Sequence, residues 1–318
     1  MVGSPVRPDL DGLALRGTGI VTPTIVVQVF TVVLNAVLSP IMIAGWMTGR
    51  PLGVMGAGLS TSISVALAVL MMLVYFVRLE RYVVFDPQLL RPTVSAWKRI
   101  LAVGLPPGGE FALLFLYMAV IYWAIRDFGA EAQAGFGIGL RVMQAIFLPA
   151  MAIAFATAPV AGQNMGAGRH DRVRATFRTS VTTLSGVMLI LTLLCQWRPA
   201  PLIAVFAQES AVVGVGAEYL RIISWNFVAT GIIFTNASMF QGMGNTMPAL
   251  LASATRLVTF VAPAAWLTTY KGFELWHLWF LSVGTVALQA GASYWMLTVE
   301  FRRRLFPVVN RTDQPLDT

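Results

Sequence analysis

Charge is scarce in this sequence. Only 11% of its 318 residues are Asp, Glu, Lys or Arg, against about 25% in a soluble domain. Together with a 57% hydrophobic content, that deficit points to lipid as the surrounding medium. One cysteine, Cys195, excludes an internal disulfide. The two histidines, His170 and His277, stand alone, and there is no His-Glu-x-x-His motif, buried Ser/His/Asp set or pair of aspartates. No enzymatic centre, metal site or cofactor is therefore expected. Residues 1–20 lack the apolar core of a signal peptide.

What is present is long apolar runs. A span needs about 20 apolar residues to cross roughly 30 Å of hydrocarbon. Eight stretches qualify, near 22–46, 54–77, 100–125, 132–159, 173–195, 214–237, 248–270 and 275–299. Backbone groups in lipid must bond internally, so the fold class is all-α integral membrane with about eight transmembrane helices. The net charge of +8 follows from where the basic residues fall. The termini and the loops after the second and fourth spans hold clusters such as Arg78, Arg81, Arg169, Arg172 and Arg302–Arg304. The other side holds Arg50, Arg126, Arg198 and Lys271. Basic loops stay inside, so the expected location is a bacterial-type inner membrane with both termini cytoplasmic. The basic pI needs no nucleic acid. Trp46, Trp123, Trp197, Trp266, Trp276 and Trp279 are expected at outer span ends, Trp97 and Trp295 at inner ends, and Trp225 within a span.

Two segments repeat. Gly17-Thr18-Gly19 followed by Pro23, and Gly242-Met243-Gly244 followed by Pro248, both give G-x-G-x-x-x-P at the start of a long apolar run. Two spans and an arginine-rich end follow each. Four spans precede the second copy and none the first, so a complete two-copy molecule would have twelve spans, four more than this chain. The expected division is 1–85 as two helices of an N-terminal lobe, 86–99 as a cytoplasmic linker, 100–306 as a complete six-helix C-terminal lobe, and 307–318 as a cytoplasmic tail.

Four stretches occur in a distinctive order: Asn35-Ala36-Val37-Leu38-Ser39-Pro40 with Pro51-Leu52-Gly53-Val54-Met55-Gly56-Ala57-Gly58; Gly104-Leu105-Pro106-Pro107-Gly108-Gly109-Glu110; Gly162-Gln163-Asn164-Met165-Gly166-Ala167-Gly168-Arg169; and Glu218-Tyr219-Leu220-Arg221 leading to Phe240-Gln241-Gly242-Met243-Gly244-Asn245. By these the chain resembles the multidrug and toxic compound extrusion (MATE) family over most of residues 15–305. The resemblance implies two six-helix lobes, a cavity between them, and export of bulky, often cationic compounds driven by protons or sodium. Family members can carry a proton-linked aspartate on the first helix of the first lobe, a helix not found in this sequence. Some place a cation-binding glutamate about two turns after the Gly-Leu-Pro of the second lobe. Leu114 stands near that place here, and Glu110 lies one turn earlier.

Ionisable groups inside a membrane are costly and are functional suspects. Glu110 is the carboxylate placed well inside an expected span, roughly 15 Å deep at 1.5 Å per residue. Three readings stand: a structural partner of an arginine, with Arg141 at comparable depth; a carrier of a proton or cation; or a helix-start carboxylate near water. Arg256 either snorkels to the interface or faces a cavity. Trp225 and Asn226, inside the 214–237 span, are packing residues or cavity-wall candidates. Glu218 and Arg221 are spaced to pair on one helix face. Pro149 and Pro263 are hinge candidates, since each frees a carbonyl one turn back. Gly135, Gly137 and Gly139 would permit close helix contact. Gly162, Gln163, Asn164 and Gly168 are expected to form a tight cytoplasmic turn.

The leading expectation is a proton- or sodium-coupled antiporter of amphipathic or cationic small molecules, acting as a monomer or with the missing helices. A lipid-linked oligosaccharide flippase of related fold is kept open by the two span arginines, Arg141 and Arg256. A non-transporting membrane fragment is kept open by the missing spans.

Overall fold

The computed structural model describes residues 22–46, 49, 51–78 and 93–305. The glycines of the first motif copy, the first half of the linker and the C-terminal tail lie outside the described residues. Helices account for nearly all of what is described: α1 (Thr22–Ala44), α2 (Gly53–Arg78), α3 (Val94–Ile125), α4 (Gly129–Gly166), α5 (His170–Trp197), the short α6 (Pro199–Ala204), α7 (Ser210–Ile223), α8 (Phe227–Gly242), α9 (Met247–Thr269) and α10 (Leu275–Leu305). Single 3-10 turns, Arg126–Phe128 and Ser224–Asn226, join α3 to α4 and α7 to α8.

Among the described residues, six helical runs are long and apolar enough to cross a membrane. One of them, the 73-residue run Val94–Gly166, contains both α3 and α4, and Ser210–Gly242 contains both α7 and α8. Seven of the eight expected spans are thereby met. The eighth, α10, is a 31-residue helix outside that apolar set. Ser282, Thr285, Gln289 and Ser293 dilute its hydropathy, and all four are buried.

The chain divides into two compact units between Ala96 and Trp97. In the first, α1 and α2 form a hairpin. No residue of α1 is buried. The two helices meet through small and polar groups: Gly56 sits against the Met42 carbonyl group, Ser39 Oγ and Ser60 Oγ are 2.9 Å apart, and Asn35 Nδ2 donates to Thr61 Oγ1 at 3.2 Å. This is how helices associate where lipid removes the hydrophobic drive between them.

The second unit has a true core. α4 packs on α5, α7 and α8, while α10 packs on α7, α8 and α9. Phe136, Tyr219 and Trp279 form an aromatic centre, with the Phe136 and Trp279 rings stacked at 5.5 Å. Trp279 is 1% exposed, so it belongs to this centre and not to the expected outer belt. Trp123, Trp197, Trp266, Trp276 and Trp295 are exposed. Gly135 and Gly139 let α4 approach α7, where a Cβ would collide with Val215 and Tyr219 respectively. Gly137 meets only the Tyr122 hydroxyl, at 3.5 Å. Cys195 is fully buried in the same core.

A smaller apolar cluster includes Ala161, Val173, Met239, Phe240 and Leu297. Here α4 and α8 cross tightly: a Cβ on Gly242 would lie 2.6 Å from the Ala158 carbonyl oxygen. Gly162 faces Gly242 across this crossing. The expected glycine turn is therefore corrected. Gly162, Gln163 and Asn164 continue α4 as helix, and the turn proper is Ala167–Arg169, with Gly168 at φ +67°. That left-handed conformation favours glycine. Asn164 spends its side-chain amide on its own helix, donating to the Val160 carbonyl.

Candidate functional site

α3 approaches α9 and α10 through selected side chains. Its two prolines, Pro106 and Pro107, stay within the helix, and Pro107 leaves the Val103 carbonyl without its usual donor. Thr246 Oγ1 supplies one at 2.8 Å. Further along, Leu250 of α9 presses on Gly109, where a Cβ would sit 3.0 Å from the leucine methyl. That contact brings the next residue, Glu110, beside the next turn of α9. Ser253 Oγ donates to Glu110 Oε2 at 3.4 Å, and Gln289 Nε2 of α10 donates to Ser253 Oγ at 3.1 Å.

One turn beyond Ser253, the Arg256 guanidinium lies 4.0 Å from the centre of the Tyr117 ring. A desolvated cation over an aromatic face contributes about 2 kcal/mol. The Tyr117 hydroxyl is 2.7 Å from Ser282 Oγ of α10. The Nε of Arg256 is buried without a hydrogen-bond partner. Glu110, Ser253, Gln289, Arg256, Tyr117 and Ser282 thus make a polar set shared by three otherwise apolar helices.

The expected candidates are dispersed relative to this set. Glu110 and Arg256 both belong to it. Arg141 is exposed, and no ion pair with Glu110 occurs among the described residues. Similar depth along two helices did not bring them together, because α3 turns its carboxyl toward α9. Trp225 is 64% exposed, whereas its neighbour Asn226 is buried, both in the 3-10 turn between α7 and α8. Pro149 is exposed and Pro263 half-buried, and α4 and α9 run through them as helix. Glu218 and Arg221 are exposed and form no ion pair among the described residues; the Arg221 carbonyl accepts from Gln196 instead.

Sequence reasoning missed Ser253, Tyr117 and the buried face of α10. The signal was Ser282, Thr285, Gln289 and Ser293 at three- and four-residue spacing inside an apolar run. It also missed Glu300, a buried carboxylate. Glu300 pairs with Arg304 at 2.5 Å and accepts from Asn245 Nδ2 at 3.0 Å, while Arg304 donates to the Met243 carbonyl. These bonds tie the Gly242–Asn245 turn to the end of α10.

Apolar helices long enough to span a bilayer, with ionisable side chains set between three of them, define a polytopic membrane protein. Comparison with known proteins makes this specific. The chain belongs to the MatE family, whose profile matches residues 106–267; this is a family of transporters, not enzymes. The chain is 28% identical over 268 residues to "Probable multidrug resistance protein YpnP" of Bacillus subtilis (83% of this chain, 56% of the relative). It is 27% identical over 270 residues to "Probable multidrug resistance protein NorM" of Thermotoga maritima (82% and 56%). A solved structure, the outward-facing conformation of a multidrug resistance MATE family transporter of the MOP superfamily, superposes with a TM-score of 0.84 at 24% identity (92% of this chain, 65% of that chain). The chain therefore spans little more than half the length of these curated relatives.

Proposed function

We propose that this chain works in secondary active efflux, exporting amphipathic or cationic small molecules by alternating access in exchange for an inward ion. The observation that carries the reading is Glu110, a carboxyl held inside the helix set by Ser253 and Gln289. A group in such a place can take up and release a proton or a small cation. Residues 100–306 act as one six-helix lobe, and 1–85 as the end of its N-terminal counterpart, joined by the 86–99 linker. The arginine-rich turn 167–174 and the end of α10 face the cytoplasm, as do both termini, following the bias in basic residues. Pro149 and Pro263 act as bending points. Drug-export names among the relatives support the substrate class.

The test is dye efflux from cells expressing the chain, with a proton uncoupler or a sodium ionophore as separate arms. Efflux abolished by the uncoupler supports proton coupling; efflux abolished only by the ionophore supports sodium. Glu110→Gln is expected to remove the pH dependence of export. Retained pH dependence rules out Glu110 as the carrier, and no efflux in any arm favours a non-transporting role.

A second reading rests on Arg256, whose cation sits between helices opposite a single carboxyl in the polar set. That guanidinium forms no ion pair among the described residues, which suits an anionic substrate such as a lipid-linked oligosaccharide diphosphate. Flipping of a fluorescent lipid diphosphate by reconstituted chain, without dye efflux, would favour it.

A further inference from the structure

The buried face of α10 carries two hydrogen-bonded pairs one turn apart. In the first, Gln289 Nε2 donates to Ser253 Oγ, which donates to Glu110. In the second, Asn236 Nδ2 of α8 donates to Ser293 Oγ at 3.1 Å. Each amide has committed its nitrogen and leaves its oxygen over. Gln289 Oε1 and Asn236 Oδ1 are both buried, and no group among the described residues donates to either. Gln289 is 5% exposed and Asn236 is fully enclosed. Two orphan acceptors this deep carry a substantial desolvation cost. They lie on one face, because residues 289 and 293 are separated by four positions and Asn236 is fixed to Ser293.

A water molecule has two protons to donate, which matches two acceptors that lack donors. We propose that a water held between Gln289 Oε1 and Asn236 Oδ1 joins the two pairs, making Asn236 and Gln289 positioning residues for Glu110. The bridge fixes the orientation of the Gln289 amide. With its oxygen occupied by the water, its nitrogen must face Ser253, and the Ser253 hydroxyl must then turn its proton toward Glu110. Bonds pointing one way thus run from the water through Gln289 on α10 and Ser253 on α9 to the carboxyl on α3, while the water's other proton anchors it to Asn236 on α8. Leu297 and Phe240, both fully buried, belong to the apolar cluster beyond Ser293 and isolate the bridge from the arginine-rich end of α10. Arg256 on α9, resting on Tyr117, is the charged side chain that shares the Glu110 set; α10 brings no charge between His277 and Glu300.

The role at Glu110 rests on the proposed efflux function; the water itself does not. Three measurements on the full chain separate the two. A crystal structure in lipidic mesophase at a resolution that shows ordered water is expected to place one within hydrogen-bond distance of both amide oxygens; an empty or apolar-filled gap overturns the bridge. In a cycle of Asn236→Leu, Gln289→Leu and the double variant, the double loss of Tm is expected to be smaller than the two single losses added, because either change alone expels the shared water. Additive losses overturn it. In dye efflux, Asn236→Leu is expected to displace the pH midpoint of export. Thr235→Val, which removes a buried hydroxyl bonded only within its own helix, is expected to leave the midpoint in place. A midpoint unmoved by Asn236→Leu overturns the positioning role even where the water is seen, and absence of all efflux refutes the proposed function while leaving the structural test intact.

Discussion

The α1–α2 hairpin is the oilier of the two regions, and it holds together differently from the larger unit, α3–α10. In the hairpin the large apolar side chains, such as Val29, Val33 and Val37, are exposed, and the helices meet through Ser39, Ser60, Asn35 and Gly56. In the larger unit, Phe136, Tyr219 and Trp279 interlock across α4, α7 and α10. Apolar content makes a helix compatible with lipid, but shape and polar pairing decide whether it packs. The two regions nonetheless share a plan. α1 and α9 each carry the proline of the repeated glycine motif, Pro23 and Pro248, in an apolar helix.

That contrast can be tested by removing what each region depends on. The largest effect is expected from Phe136→Ala, which empties the aromatic centre. Deletion of a buried phenylalanine costs about 3–5 kcal/mol, so a steep drop in the Tm of detergent-solubilised chain is expected, with the hairpin unaffected. Next comes Gly56→Leu. Its Cβ would fall 2.6 Å from the Met42 carbonyl, and forcing in extra bulk costs roughly 1–3 kcal/mol. Increased protease cleavage in the turn between α1 and α2 would report it, and an unchanged rate would refute the close-contact account. Ser60→Ala removes one interhelical hydroxyl and is expected to cost about 0.6 kcal/mol, measured by the same cleavage assay. The smallest effect is expected for Trp225→Ala. Removing its exposed ring should change the stability of the larger unit, followed through its Tm, by no more than about 0.5 kcal/mol; a large loss would show that the ring is packed after all.

Most span positions were readable from the sequence because they depend on composition summed along a run, which is local. So were the close contacts at Gly135 and Gly139, since small residues at helical spacing have few other uses in a membrane. The partners of Glu110 were not readable. Depth along two helices made Arg141 as eligible as Ser253, and only the approach of Leu250 to Gly109 selects α9. The buried pairing of Glu300 with Arg304 was not readable either. Its burial depends on Asn245, 55 residues away in the chain. Trp279 and Trp225 exchanged expected roles for a similar reason: position along a helix places a residue at a depth, while rotation about the axis decides what it touches.

The fully enclosed Cys195 has a practical corollary. A polar maleimide has no native thiol to find on the folded protein, so the background for surface labelling is blank. One new cysteine in place of Arg169 and another in place of Lys271 would each report its own side of the bilayer to an impermeant reagent. The inside-outside assignment could then be settled in whole cells without first rebuilding the chain.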